Sequence, residues 1–169
     1  MDTGMKKYYI IIFYLEQHHY YTLWYTDDVD GFIISAEGNI VYFEDEVLIK
    51  KFARDNEIYL DDETTEIFCN ELFNIDDNNI HCNDILTFWN IVSDMARSAG
   101  KLFLGDYKHS NISDIYNKLF YGCNLPVIKQ EGESYYPIWN HKEVLLLQKV
   151  INNGLDILSK IFLNVEISQ

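Results

Sequence analysis

The stretch that decides the fold, Cys82–Gly100, reads CNDILTFWNIVSDMARSAG. Its apolar residues recur at steps of three and four, which is the spacing of one amphipathic helix. They are Ile85, Phe88, Trp89, Val92, Met95 and Ala96. We expect Asn83 or Asp84 to cap the start of this helix, and Gly100 to end it in the left-handed conformation. The stretch predicts a helical scaffold between an acidic, strand-like half and a helical half of the chain.

Acidic residues concentrate before this helix. The 169 residues hold 27 Asp and Glu against 13 Lys and Arg, a formal net charge of −14. Residues 1–80 hold 18 acidic and 5 basic residues, and residues 81–169 hold 9 and 8. This charge argues against nucleic acid or an anionic membrane as partner, because like charges repel. It suits either a solvated surface or a docking face for a basic protein, and charge alone leaves both open.

Length and composition predict one domain, residues 1–169, with a strand-rich acidic half at 1–80 and a helical half at 81–169. The three cysteines do not form an even disulfide framework. The first residues lack the features of a secretory signal peptide, and no apolar run approaches the ~20 residues that a membrane helix needs. We therefore expect a cytoplasmic protein with free thiols and no membrane contact.

The apolar periodicity predicts an α+β fold, with an N-terminal antiparallel sheet and one helix packed against a C-terminal helical layer. Short turns between strands favour an antiparallel meander. Its strands are expected at Lys6–Glu16, Tyr20–Tyr25, Phe32–Ser35 and Ile40–Phe43. A helix over Glu44–Asn56 follows. After it we expect a short strand at Glu57–Leu60, an acidic loop at Asp61–Glu66 and a short helix or turn at Ile67–Phe73.

Two further helices are predicted after Gly100. They cover Asn111–Tyr121 and Asn140–Phe162, and the second opens with a capping box. Gly154 lies inside the second helix at a cost of ~1 kcal/mol against Ala, so it indicates a close packing contact. On the polar flank of the central helix, Asn90 and Asp94 are one turn apart, and we expect them to make structural hydrogen bonds.

Thr26–Glu37 has part of the spacing of a calcium-binding EF-hand loop. Asp28, Asp30, Gly31 and Ile33 fall at matching positions, as does the final glutamate. The first position is a threonine rather than an acid, and the predicted flanks are strands rather than helices. An acidic hairpin turn is therefore favoured, with calcium binding as the alternative.

Patterns for catalysis are weak throughout the sequence. Cys69, His81 and Cys82 lack the paired spacings of a zinc site. A cysteine or serine with a histidine could be assembled in any chain that holds five histidines, and there is no nucleophile elbow or phosphate-binding loop. We expect no enzymatic activity and no cofactor. A small hydrolase or metal-binding enzyme built on the same acids is the alternative.

Several segments together resemble one known family. They are Leu86–Ser98, Ile115–Pro126, Tyr136–Trp139 and, upstream, Gly31–Ser35 and Val41–Phe43. In these segments the chain resembles immunity proteins of bacterial contact-dependent growth inhibition and related polymorphic-toxin systems. The resemblance implies a cytosolic antidote that binds the toxic domain of a cognate effector in a 1:1 complex, and we expect that domain to be a nuclease. It carries no functional residue over, because the family's interfaces vary with the toxin.

The acidic half is the expected partner surface under this hypothesis. Nuclease active sites need cations to hold phosphates, so a carboxylate-rich face would attract and cover such a site. A tyrosine beside acids is typical of an interface anchor. The predicted partner-binding residues are Asp27, Asp28, Asp30, Glu37, Glu44, Asp45, Glu46, Asp61, Asp62, Glu63 and Tyr25. An acidic adaptor for another basic protein is a further alternative.

Overall fold

A computed structural model describes residues 5–128 and 132–163 of the chain. The predicted domain bounds, 1–169, extend outside the described residues and stay a prediction. The α+β class is confirmed, with a five-stranded N-terminal sheet followed by helices. The strands are β1 (Lys7–Leu15), β2 (His18–Thr26), β3 (Gly31–Phe32), β4 (Tyr42–Phe43) and β5 (Leu60–Phe68). The helices are α1 (Glu46–Asp55), α2 (Cys82–Ser98), α3 (Ser110–Gly122) and α4 (His141–Phe162).

The strands form one sheet in the order β3-β2-β1-β5, and β4 pairs with β2 beside β3. β1 and β2 are an antiparallel hairpin whose register runs from Lys7 opposite Thr26 to Leu15 opposite His18. β3 and β4 add to the other edge of β2, also antiparallel, and each is two residues long. The predicted antiparallel pairing is therefore confirmed for β1 to β4, but the meander order holds only for β1 to β3, because β4 pairs with β2 and not with β3.

The fifth strand differs from the prediction. Asp61–Glu66, predicted as a loop, and Ile67–Phe68, predicted as part of a helix or turn, belong to β5, which pairs parallel with β1. The predicted strand Glu57–Leu60 contributes only its last residue. Ile67 is the one buried residue of β5, so the strand lacks the alternation from which sequence patterns are recognised. Its pairing depends on contacts with β1 far along the chain, and the sheet is mixed rather than purely antiparallel.

β1 is buried on both faces, as its unbroken apolar run predicts. Ile11 and Phe13 pack on one face in the cluster that includes α2 and α4, whereas Ile10 and Ile12 pack on the other face against Ile49 of α1. The sheet is thus the middle of three layers. Full burial of an apolar side chain of this size stabilises the fold by about 1.5–3 kcal/mol, so β1 holds the layers together.

The last turn of α4 reaches back to the first hairpin. The ring of Phe162 stacks on Tyr20 of β2, with centroids 4.5 Å apart, and lies 5.2 Å from the ring of Phe13. Tyr42 of β4 meets Phe162 edge-on at 5.1 Å. Aromatic pairs of this kind add about 0.5–1.5 kcal/mol each beyond the area that they bury. This four-ring cluster joins the first strands to the last helix.

The sequence Cys82–Gly100 predicts α2. The predicted end of this helix agrees with the structure, whereas its predicted start does not. The helix begins one residue before Asn83, so Asn83 and Asp84 lie inside the first turn and neither caps it. The predicted side-chain cap is therefore wrong. Gly100 has a φ of +66°, and the amide of Lys101 donates to the carbonyl of Ala96 at 2.8 Å. The predicted left-handed helix end is confirmed.

Hydrogen bonds from the polar flank of α2 tie neighbouring elements to it. The indole Nε1 of Trp24 in β2 donates to Asp94 Oδ2 at 3.0 Å, and the hydroxyl of Tyr116 in α3 donates to Asn90 Oδ1 at 2.9 Å. The hydroxyl of Ser98 accepts from the amide of Phe32 in β3 at 2.9 Å. The structural role predicted for the asparagine and aspartate is confirmed.

α4 begins and packs as its sequence predicts. The Glu143 amide donates to Asn140 Oδ1 at 3.0 Å, and the Asn140 amide donates to Glu143 Oε2 at 2.9 Å, which completes the capping box. A Cβ atom on Gly154 would lie 2.9 Å from Cε1 of Phe88, so this glycine is the predicted close contact with α2. Among the helices of the described segments, none has the length and apolar character needed to cross a membrane.

Candidate protein-binding surface

Six of the predicted carboxylates gather at one end of the sheet. The end of β2 and the beginnings of β1 and β5 lie side by side there, because Tyr25 pairs with Tyr8 and Tyr8 pairs with Leu60. Neighbouring strands are about 4.8 Å apart, so the β2 and β5 ends are about 10 Å apart. We name this surface the acidic end. Its carboxylates are Asp27, Asp28, Asp30, Asp61, Asp62 and Glu63.

A bulge in β5 carries three of these acids. Leu60 pairs with Tyr8 and Thr64 with Ile10, so Asp61–Glu63 occupy an interval in which β1 has one residue. All three side chains are exposed. The carboxylate of Asp61 accepts a hydrogen bond from the amide of Glu63 at 3.0 Å, which stabilises the bulge. Because a bulge adds twist and re-aims side chains, it directs the three acids towards solvent.

The charge of the acidic end is little neutralised. Lys6 Nζ lies 3.5 Å from Asp27 Oδ2, an exposed ion pair of the kind that contributes about 0–1 kcal/mol. Within residues 5–128 and 132–163, Asp28, Asp62 and Glu63 form no ion pair, and their carboxylates accept no hydrogen bond. Their charges are therefore available to a cationic partner.

Tyr25, the predicted aromatic anchor, lies at the acidic end but is half-buried. Lys6 Nζ is 3.9 Å from the centroid of its ring, and the Tyr8 ring meets it edge-on at 6.2 Å. Its hydroxyl would be 2.6 Å from a Cβ atom on Gly31, so this glycine lets the ring pack against β3. Tyr25 thus forms part of the wall of this surface rather than a free anchor.

Two exposed apolar side chains of the acidic end are missing from the predicted set. Tyr59 is 85% exposed and directly precedes β5, and Val29 is 60% exposed in the turn after β2. Val29 lies between Asp28 and Asp30, and Tyr59 lies two residues before Asp61. An aromatic ring beside an acidic run was the available signal for Tyr59, since aromatic residues are enriched at interfaces.

Three other predicted acids, Glu44–Glu46, lie away from the acidic end. They follow β4, which pairs with β2 four residues before Tyr25, or about 13 Å along the strand. Glu44 lies 3.4 Å from His18, and Glu46 forms an ion pair with Lys50 at 2.7 Å. Asp45 caps α1, because its carboxylate accepts an amide hydrogen bond at 2.7 Å. These local contacts explain the three acids without a partner.

Glu37, the last predicted acid, lies in the turn between β3 and β4. A hydrogen bond from the Ser35 side chain lowers the pKa of its carboxyl group. The segment Thr26–Glu37 begins at the last residue of β2, contains β3 and precedes β4, so the strand flanks expected for a hairpin turn are confirmed. Within the part of the chain that the structure describes, no three His, Cys, Asp or Glu side chains are placed to hold one metal ion.

A groove beside β5 is the second feature of this side of the molecule. Its cavity volume is about 470 Å³, and it lies between Thr65–Phe68 of β5, the 3₁₀ turn Cys69–Leu72 and the first turns of α2. Its buried apolar residues are Ile67, Leu72, Ile75 and Ile85, and its carboxylates are Glu66, Glu71 and Asp84. We name it the β5 groove. An apolar floor with an acidic rim suits a basic, partly apolar ligand.

The pKa of Tyr14 in β1 depends on its contact with Glu66 of the β5 groove. Its hydroxyl donates to Glu66 Oε1 at 2.7 Å, and this hydrogen bond, with desolvation and the carboxylate charge, raises the pKa of Tyr14 to about 12. Glu66→Gln is expected to lower that pKa towards 10, measured by NMR titration of the labelled ring.

The same pair predicts a pH dependence of stability. Because the folded pKa of Tyr14 exceeds the unfolded value, its contribution is complete below pH 10 and is lost as pH rises through about 12. Glu66→Gln should flatten this loss in unfolding experiments, whereas the exposed control Glu63→Gln should leave it unchanged. An identical alkaline profile for wild type and Glu66→Gln would contradict the assignment.

The thiols do not favour a catalytic nucleophile. Burial raises the pKa of Cys69 to about 12, and burial is also the main cause that raises the pKa values of Cys82 and Cys123. At neutral pH these groups stay protonated, whereas catalytic cysteines need a lowered pKa. The chemistry that this side of the molecule offers is recognition of positive charge.

Comparisons with known proteins found no relative of this chain. No family model, no curated protein and no solved structure matches the chain. Function is therefore inferred from the charge, exposure and shape of the acidic end and the β5 groove.

Proposed function

We propose that the protein is an immunity protein that binds and neutralises the toxic domain of a cognate effector in the cytoplasm. The observation that carries this proposal is the acidic end, which combines six carboxylates with the exposed side chains of Tyr59 and Val29. The partner is a basic nuclease domain, bound 1:1 through its active site. The protein works by binding, without a cofactor and without catalysis of its own.

Electrostatics and shape give this surface the properties of an inhibitor. Clustered carboxylates with few paired cations raise the association rate of a basic protein by 10–10³-fold, as long as salt does not screen them. The same carboxylates replace the phosphates that a nuclease site binds, so substrate and inhibitor compete. Tyr59 supplies the ring that such interfaces use as an anchor, since it buries a large area at low entropic cost.

Co-expression tests the proposal directly. Cells that produce the toxic C-terminal domain encoded beside this gene should survive when they also produce this protein, because a stoichiometric complex occupies the toxic site. A catalytically inactive toxin domain should co-purify with it, and light scattering should give the mass of a 1:1 complex. Cells that die equally fast with and without this protein would refute the proposal.

A further inference from the structure

β5 is a long edge strand whose outer side is open. It pairs with β1 on one side, and no strand among the described residues pairs with its other side. An edge of this kind presents unpaired amide and carbonyl groups, and proteins usually protect it with bulges or charges. The bulge at Asp61–Glu63 protects the first half. From Thr64 to Phe68 the pairing with β1 is regular, so this half is a ready template for another strand.

The regular half of β5 also forms a wall of the β5 groove. All of Thr65, Glu66, Ile67 and Phe68 line it, although neighbouring residues of a strand point to opposite faces. The open edge itself, and not only one face of the strand, therefore faces the cavity. A chain that pairs with this edge would place alternate side chains over the apolar floor and near Glu66, Glu71 and Asp84.

We infer that this edge and the β5 groove receive an extended segment of the toxin, about five residues long, which adds a sixth strand to the sheet. The inference rests on the proposed function and specifies its mode of binding. Main-chain hydrogen bonds to Thr64–Phe68 supply affinity, and pockets for alternate side chains supply specificity. The segment carries one or more Lys or Arg residues for the acidic rim and an apolar residue for the floor.

Charge argues against a second copy of this chain as the occupant. Antiparallel pairing of two Thr64–Phe68 segments about their centre would place Glu66 of one copy directly opposite Glu66 of the other. Like charges directly opposite each other destabilise a strand pair. This repulsion disfavours a homodimer through β5 and favours a basic segment as the occupant.

Residue-resolved amide exchange of the complex with the inactive toxin domain tests the inference. In a parallel pair, alternate amides of β5 bond to β1, and the others are open to solvent. Alternate amides within Thr64–Phe68 should exchange at least about tenfold more slowly in the complex than in the free protein. Unchanged exchange in a toxin complex that forms and protects cells would overturn the strand addition and leave the proposed function standing.

A matched pair of variants locates the contact independently. Glu71→Lys places a cation on the rim of the β5 groove, and Asp114→Lys makes the same change in net charge on an exposed position of α3. Glu71→Lys should weaken toxin binding at least about fivefold more than Asp114→Lys. Equal effects, or a homodimer of the free protein that protects the Thr64–Phe68 amides, would overturn the inference.

Discussion

Reversal of charge at Asp28 and Asp62 together is expected to weaken toxin binding about a hundredfold, at roughly 1.4 kcal/mol for each factor of ten. Both side chains are exposed acids of the acidic end, and neither makes an ion pair within the described segments. The change to Lys therefore replaces attraction by repulsion without removing a structural contact. Most of the loss should appear in the association rate, since attraction between exposed charges acts over a long range and steers the encounter.

The dependence of Kd on ionic strength tests this prediction most directly. Screening shortens the reach of a charge from about 30 Å at 0.01 M to about 3 Å at 1 M ionic strength. The difference in Kd between wild type and Asp28→Lys/Asp62→Lys should shrink accordingly. The control Asp114→Lys/Glu133→Lys makes the same change in net charge at exposed positions of the helical half. Equal losses for the two variants would mean that only net charge matters.

Phe88→Ala should lower the free energy of unfolding by about 3–5 kcal/mol, measured by urea denaturation. The Phe88 side chain is 1% exposed and fills the space between α2 and Gly154 of α4. Its removal leaves a cavity at the contact of two helices, which the neighbouring side chains can fill only in part. A loss below 1 kcal/mol would show that this contact does not support the core.

Gly154→Ala tests the contact between Phe88 and Gly154 by adding a side chain where Phe88→Ala removes one. Alanine favours a helix over glycine by about 1 kcal/mol. In the wild type, its Cβ would lie 2.9 Å from Cε1 and 3.0 Å from Cζ of Phe88, so we expect a net loss of stability from overpacking. In the Phe88→Ala background the same substitution should become stabilising. Equal effects in both backgrounds would contradict the direct contact.

The helical half of the fold could be predicted because its determinants are local. The stripe that contains Phe88 and Trp89 repeats within one helix, and the capping box of Asn140 and Glu143 spans four residues. The start of α2 was predicted wrongly, since Asn83 and Asp84 have the residue types of a cap but lie inside the first turn. Residue type alone does not determine which of several polar neighbours starts a helix.

β5 could not be predicted for the opposite reason. Its acids and threonines have loop-like composition, and it is a strand because β1 offers an open edge about fifty residues earlier in the chain. The acidic end depends on this parallel pairing, because it alone brings Asp61–Glu63 beside the Asp27–Asp30 turn. Composition predicted the acids of the site, but it could not separate them from Glu44–Glu46, whose contacts are local.

The packing of the Phe162 ring against Tyr20 and Phe13 delays folding of this region during synthesis of the protein. The ribosome makes β1 and β2 first, but the helix that covers their inner face comes last. At 5–20 residues per second, roughly 7 to 28 s separate the synthesis of Tyr20 from that of Phe162. During this interval the nascent hairpin exposes an apolar, aromatic face. The growing chain therefore cannot complete this aromatic cluster until α4 has been synthesised.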